Sequence, residues 1–469
     1  MRNTLERELK LEPGPAFAFP ELPGEPLPSR VFTSTYYDTP ARSLLRAGIT
    51  LRRRLENGVS RWQLKLPRDA PARAELEELG GPAGPPPELG ELLVTHRRHG
   101  RLEPVATLRT RRTGMRVADN GHALADVTLD SVAVLDGAHM EGTFSELEIE
   151  LVEGDADDLD RLSAALRRAG AASSDGRPKL MRVLQLGDVG ADSATTSSER
   201  LRRLVLHQLI AIESADPGVR LGDDPEDVHR MRVATRRARA LIRATKPLYG
   251  EGRLAALNGE LQWLAGLLGG VRDLDVLVGE LADAVAHLDE DEPAGRVLVD
   301  QLDAERVADR ARLLEAMDSE RYTTLLALFE RSVAELPDVD VGDGLHTIAA
   351  GELAKLRKSA RALPDDPTDD ELHGLRKTAK KARYAGELAL LEGGRPLERY
   401  VSALKDLQDV VGEHQDAVVA EERLRKLARA KTAVAAGRLI AHERERRRRA
   451  RDEYSGSLEE VLKRGRKAL

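Results

Sequence analysis

The sequence predicts a two-domain α+β chain: an antiparallel β-barrel with a charged interior, followed by an all-α domain of two related halves. Three observations carry this. Within the first 185 residues, short runs alternate charged with apolar side chains, acidic at both ends and basic between. After residue 198 the apolar period changes from that of a strand to that of a helix. Within the helical part, a basic helix start recurs 144 residues later, at His229 and again at His373.

Strand side chains alternate between two faces. In Leu5-Glu6-Arg7-Glu8-Leu9-Lys10-Leu11 the residues Glu6, Glu8 and Lys10 therefore share a face. Thr50 to Leu55 puts Arg52 and Arg54 together, Trp62 to Leu66 sets Lys65 opposite Trp62 and Leu64, and Leu108 to Arg111 pairs Arg109 with Arg111. Phe144 to Leu151 repeats the acidic alternation through Glu146, Glu148 and Glu150. Either acidic strand alone reads equally well as a solvated outer face. Acidic and basic faces from one domain point instead to a charged lumen, gripping a polyanion through Arg and Lys and a divalent cation through Glu. Acidic faces that meet across a lumen repel unless a cation lies between them.

The Glu6-x-Glu8-x-Lys10 opening resembles the signature of CYTH domains, the triphosphate tunnel metalloenzymes. Matching segments follow in order: Tyr36-Tyr37-Asp38-Thr39, Leu51 to Arg54, Trp62 to Lys65, Arg109 to Arg112, Leu129 to Val132, Glu146 to Glu150 and Pro178 to Arg182. The resemblance spans roughly residues 1 to 185 and implies an antiparallel tunnel of eight strands. It implies that Glu6, Glu8, Glu148 and Glu150, with Asp130 a weaker candidate, hold Mg²⁺ or Mn²⁺. It implies that Lys10, Arg52, Arg54, Lys65, Arg109, Arg111 and Lys179 bind a triphosphate for metal-assisted attack by water. No side chain stands out as a general base. The arginines at 109, 111 and 112 are crowded, so a one-residue slip would exchange which of them face inward. Pro178 stands where the family has a small serine.

Composition narrows the function classes. Charged residues make up 33% and aromatics 3%, which favours charge-rich helices, and the net charge of −7 argues against a general nucleic-acid coat. The absence of cysteine rules out disulfides and thiolate metal sites and fits a reducing cytoplasm. The N-terminus is charged rather than signal-like, and no apolar run approaches the roughly 18 residues of a membrane span. Gly80 to Pro87 reads as a loop and Asp155 to Ala169 as an amphipathic helix. The predicted division is 1–186 for the tunnel domain, 187–198 for a small polar linker and 199–469 for the helical domain. Pro337 to Gly344 and Pro364 to Pro367 read as breaks between helices.

In the helical domain, His229 leads Arg232, Arg236 and Arg239, and His373 leads Arg376, Lys380 and Arg383, at the same three offsets. Those offsets fall on one helix face. Leu268 to Asp273 and Val411 to Asp416 form a second matched pair, predicting two pseudo-symmetric helical bundles. Such a face reads either as solvated and balanced by acids such as Asp273 and Asp416, or as a groove for a long polyanion. The arginine run from His442 to Arg451 reads first as a solvated helix face.

His229-x-x-Arg232-x-x-x-Arg236 and His373-x-x-Arg376-x-x-x-Lys380, with Arg272-Asp273 and Gln415-Asp416, resemble CHAD domains over roughly residues 197 to 465. That resemblance implies inorganic polyphosphate as the ligand of these residues. One histidine per repeat is a poor metal site; hydrogen bonding to phosphate or to a neighbouring Asp is expected instead. The combined expectation is a cytoplasmic, Mg²⁺- or Mn²⁺-dependent hydrolase of inorganic triphosphate that binds polyphosphate and associates with polyphosphate granules, without a specific nucleic-acid or membrane partner. Two alternatives remain open at this stage: a non-catalytic polyphosphate-targeting protein, and an enzyme acting on a nucleoside or thiamine triphosphate.

Overall fold

The computed structural model describes residues 2–67, 72–98, 100–137, 139–174, 179–184, 196–250, 252–339 and 344–469, except the side chains of Arg2 and Leu5. Pro178, most of the Gly187–Ser198 stretch, part of the Pro337–Gly344 break and the side chain of Leu5 thus lie outside the described residues. The chain divides into two compact units, Met1–Ala191 with Asp216–Leu221, and Asp192–Ala215 with Gly222–Leu469.

The strands of the first unit are β1 (Arg2–Pro13), β2 (Gly24–Asp38), β3 (Thr50–Glu56), β4 (Val59–Pro67), β5 (Ala72–Leu79), β6 (Glu103–Asp119), β7 (His122–Asp136), β8 (His139–Leu151) and the short β9 (Ala171–Ser173). The order β5-β4-β3-β2-β6-β7-β8-β1 closes on itself through β5 and β1, giving the expected antiparallel ring of eight strands. Closure removes every sheet edge except where β9 adds to the end of β1.

The ring is sealed outside by apolar packing. Leu51, Trp62, Leu64 and Leu76 are buried with Leu44 of α1 (Ser43–Arg46), Leu89 of α2 (Pro87–Glu91) and the neighbouring Leu92 and Leu93, just ahead of α3 (Val94–Arg97). On another face Leu11, Val127, Leu147 and Ile149 pack with Leu159, Leu162 and Leu166 of α4 (Ala156–Arg168). Each such side chain contributes about 1.5–3 kcal/mol by leaving water, so the alternate residues of the same strands are forced inward. Asp38 ends β2 as a cap: its carboxylate accepts the backbone N–H groups of Thr39 (2.7 Å), Leu44 (3.0 Å) and Leu45 (3.0 Å). This gives the Tyr37-Asp38-Thr39 motif a structural role. Helix α4 starts at a reciprocal Asp155–Asp158 capping box.

One end of the ring is filled. Tyr36, Leu108 and Val132, on the inner faces of β2, β6 and β7, form an apolar cluster with Leu180 of α5 (Lys179–Val183), joined by Phe144.

The second unit is helical: α6 (Ser197–Leu221, of which Asp216–Leu221 belongs to the first unit), α7 (Pro225–Ala244), α8 (Lys246–Tyr249), α9 (Ala255–Val285), α10 (Glu292–Asp318), α11 (Glu320–Ala334), α12 (Gly344–Arg361), α13 (Asp369–Ala389), α14 (Arg395–Leu427) and α15 (Ala433–Ala468). The predicted duplication is visible in the packing. Helix α7 packs on α9 as α13 packs on α14, α9 on α10 as α14 on α15, and α7 meets α13. Leu277 and Leu281 of α9, Leu298 and Leu302 of α10, Leu424 of α14 and Leu439 of α15 share one core between the halves. Both basic helices begin at strong caps: Asp224 accepts from the Glu226 N–H (2.8 Å), and Thr368 pairs reciprocally with Glu371.

Candidate functional site

The ring encloses a cavity of about 740 Å³, lined mostly by charged side chains. Cross-strand register sets who meets whom. Glu8 lies opposite Glu150 and Lys10 opposite Glu148 between β1 and β8, while Lys65 lies opposite Glu75 between β4 and β5. Of the residues predicted from sequence, Glu6, Glu8, Lys10, Arg52, Arg54, Lys65, Glu148, Glu150 and Lys179 all line this one cavity.

Cations and carboxylates are interleaved. Lys10 Nζ donates to Glu148 (2.6 Å) and Glu146 (2.9 Å), and Lys179 Nζ donates to Glu148 (2.7 Å) and Asp130 (2.9 Å). Burial opposes the charge on Lys10, but Glu148, Glu8 and Glu146 outweigh it and hold the ammonium more firmly protonated than usual. Lys65 Nζ donates to Glu6 at 2.5 Å, and Arg52 Nε to Gln63 at 2.7 Å. Burial lowers Arg54 to about 10, helped by Arg52 beside it.

Two of the carboxylates are held less firmly in their charged form than the rest. Burial and a hydrogen bond shared with Glu6 push Glu75 up to about 8. Burial and the nearby Glu6 push Glu150 up to about 7. One buried oxygen of Glu75 has no hydrogen-bond partner. Hard oxygen donors whose charge is disfavoured by burial, and further by neighbouring carboxylates, fit a divalent cation, which would balance that charge. Among the described residues, no three acidic or histidine side chains already converge on one point.

The structure corrects part of the predicted set. Arg109 and Arg111 are exposed on the outer face of β6; Arg112 faces the lumen in their place. The reason is the filled end of the ring: Leu108 points inward against Leu180, so the inward series on β6 runs 108, 110, 112. Asp130 does not line the cavity either. It is fully buried and accepts two bonds from Arg112 (both 2.7 Å) and one from Lys179, so it orients two cations rather than facing a ligand. Arg109→Gln and Arg111→Gln should therefore leave tunnel activity within about twofold, while Arg112→Gln should lower it roughly 100-fold; steady-state phosphate release checks all three.

Sequence reading passed over Glu75, and it named Glu146, Arg112 and Tyr36 within motifs without assigning them to the site. Arg73-Ala74-Glu75-Leu76-Glu77 carried the same alternation as β1 and was the available signal for Glu75. Glu146 is fully buried between Lys10, Lys179 (3.2 Å) and Arg182 (3.6 Å).

In the second unit the two basic faces meet where α7 and α13 pack. Lys380 lies among Arg236, Arg376, Arg232 and Arg383; after burial, these are what lower it to about 7. Arg232 pairs with Asp273 (2.8 Å), Arg237 pairs with Glu387 (3.0 Å), and Arg239 turns away to Gln262 (2.9 Å). His229 and His373 occupy matched places, and the Nδ1 of each is buried without a hydrogen bond, not paired with an Asp. The arginine run in α15 is ion-paired throughout: Arg444 to Glu421, Arg446 to Glu280, Arg447 and Arg451 to Asp369, and Arg448 and Arg449 to Glu445.

A closed antiparallel ring with a charged lumen, continued in sequence by a duplicated basic helical unit, defines a two-part tunnel protein. Residues 5–175 match the CYTH domain and residues 203–425 the CHAD domain. Two uncharacterized proteins from Mycobacterium tuberculosis, of strains CDC 1551 and H37Rv, are 30% identical over 480 residues, covering 95% of this chain and 92% of theirs. The chain belongs to this family of fused CYTH and CHAD domains. Among solved structures it is similar to PptA from Streptomyces chartreusis (22% identity, 56% of this chain and 99% of that one, TM-score 0.47). It is also similar to the CHAD domain from the plant Ricinus communis (26% identity, 60% of this chain and 96% of that one, TM-score 0.49).

Proposed function

We propose that the tunnel hydrolyses a linear triphosphate, inorganic triphosphate first, with Mg²⁺ or Mn²⁺, and that the helical unit binds inorganic polyphosphate. The observation that carries the tunnel reading is the co-location, in one cavity, of lysines and arginines from several strands with carboxylates from β1, β5 and β8. Arg52, Arg54, Lys65, Arg112 and Lys179 would grip the phosphate oxygens and balance charge on the transferring group. Glu6, Glu8, Glu148 and Glu150 would hold the metal, which when bound polarises a phosphoryl oxygen and orients the attacking water. With one end filled by α5 and apolar side chains, the tunnel takes a chain end rather than a threaded strand. The test is phosphate release from inorganic triphosphate, ATP, thiamine triphosphate and long polyphosphate, with and without metal. Metal-dependent turnover of inorganic triphosphate far above the others is expected; no turnover with tight polyphosphate binding would leave a targeting protein.

Polyphosphate binding is supported by the meeting of both repeats' cations between α7 and α13. Its pH dependence follows from Lys380. Below about 7 the ammonium is charged in the free protein; above it, binding a polyanion must first restore the proton. Polyphosphate affinity should therefore fall as pH rises from 7 towards the ordinary lysine value, with proton uptake on binding, and Lys380→Arg should flatten the profile. Stability should move the other way, because between those pH values the unfolded chain binds the extra proton. Calorimetric titration in buffers of different ionisation enthalpy measures the uptake. The same polyphosphate contacts would bring the protein to polyphosphate granules.

A further inference from the structure

Phe32 sits at the centre of an arrangement that the charged residues alone do not explain. It lies on β2, between the strands carrying Arg54 and Arg112, and its side chain is 4% exposed. The Arg54 guanidinium carbon lies 3.6 Å from the ring centroid and that of Arg112 lies 5.9 Å from it. The two arginines are held differently. Arg112 is fixed by a two-bond contact to Asp130 and a further one to Glu148. Arg54 has one ion pair and no two-bond contact. Its Nη2 lies 2.8 Å from Glu56, which also accepts two bonds from Arg30, and its buried Nε has no hydrogen-bond partner.

An aromatic face attracts a guanidinium through its quadrupole and stacks on its plane, so it consumes none of the edge N–H donors. A carboxylate partner would consume two. We infer that Phe32 is a positioning residue, an uncharged platform that holds Arg54 by its face and spaces it from Arg112, so that the Arg54 donors not paired with Glu56 are left to bind a phosphate of the triphosphate. This rests on the tunnel reading above.

The test is calorimetric binding of inorganic triphosphate to the metal-free full chain, for wild type, Phe32→Leu, Phe32→Tyr, Arg54→Gln and the double variant Phe32→Leu/Arg54→Gln. Leucine keeps an apolar side chain at the site, and circular dichroism confirms that each variant is folded. Phe32→Leu should lose affinity between several-fold and about tenfold, Phe32→Tyr should retain it, and the double variant should bind no worse than Arg54→Gln alone. Wild-type-like affinity in Phe32→Leu, with loss in Arg54→Gln, would overturn the inference while leaving the tunnel reading intact. Equal losses in the leucine and tyrosine variants would also overturn it, since packing rather than the ring would then matter. Failure of the wild type to bind triphosphate would sink the tunnel reading itself, and the inference with it.

Discussion

Glu148→Gln is expected to lower metal-dependent phosphate release by roughly 10²–10³-fold and to destabilise the tunnel unit by about 3–5 kcal/mol. Both effects follow from one carboxylate facing three cations. Its Oε1 accepts from Lys10 (2.6 Å) and Lys179 (2.7 Å), and its Oε2 from Arg112. Glutamine has a similar shape and can still accept, but it supplies no charge. Two lysines and an arginine would then share a buried space with only Asp130, Glu146 and the more distant acids to balance them. Removing one partner of a buried pair costs far more than the intact pair contributes.

Acid should reveal the same residue. Burial alone would raise the Glu148 carboxyl, but Lys10, Lys179 and Arg112 hold it well below the ordinary value of 4.5. Its stabilising contribution is therefore complete above that value and is lost as pH falls through the depressed one. Guanidinium unfolding of wild type at pH 7 and at pH 4 or below should show that loss, and Glu148→Gln should show less of it. Turnover within tenfold of wild type in a folded Glu148→Gln protein would remove Glu148 from the reactive centre. Polyphosphate retention should not change in this variant, because the contacts proposed for it lie in the other unit.

Where the sequence could be read and where it could not have the same physical origin. Period-two alternation marks the face of a strand, and the faces it gave to Glu6, Glu8, Lys10, Arg52, Arg54, Lys65, Glu148 and Glu150 are the ones that line the cavity. The rule behind that reading is charged in, apolar out. It holds along the open part of the ring and reverses at the filled end, where Leu108, Val132 and Tyr36 point inward to meet Leu180. Strand β6 crosses that boundary, so assigning Arg109 and Arg111 to the lumen took the wrong parity. No local pattern in Leu108 to Arg112 signals the reversal, because the side chain that demands it comes 72 residues later. Phe32 is invisible for a related reason: its partners, Arg54 and Arg112, become neighbours only when β3 and β6 flank β2. In the helical unit the legible part was the repeat itself. What the repeat could not show was that α7 and α13 face each other, turning two separate basic stripes into one cluster.

That cluster sets up the second large effect. Arg232→Glu with Arg376→Glu should weaken polyphosphate binding by at least about 100-fold at moderate salt and flatten its salt dependence. A linear polyanion releases counterions for each phosphate neutralised, with a slope of roughly −0.7 per contact for single strands. Each substitution deletes one such contact and adds a like charge beside the chain, so the slope should fall by roughly 0.7 per position or more. The fold should tolerate the change. Arg232 has 22% of its side chain exposed, its partner Asp273 is 67% exposed, and neither arginine belongs to the apolar core. Relieving cation crowding around Lys380 should even favour the free protein. The control is Arg448→Glu with Arg449→Glu, in a run whose arginines are already paired, where retention should hardly change. Polyphosphate retention across a salt series, beside RNA at equal ionic strength, separates the outcomes. Undiminished retention in the Arg232/Arg376 variant would exclude the α7–α13 contact as the binding surface. RNA bound as tightly as polyphosphate by the wild type would make that surface a general polyanion sink, in which density of positive charge rather than fit to a phosphate chain decides what binds.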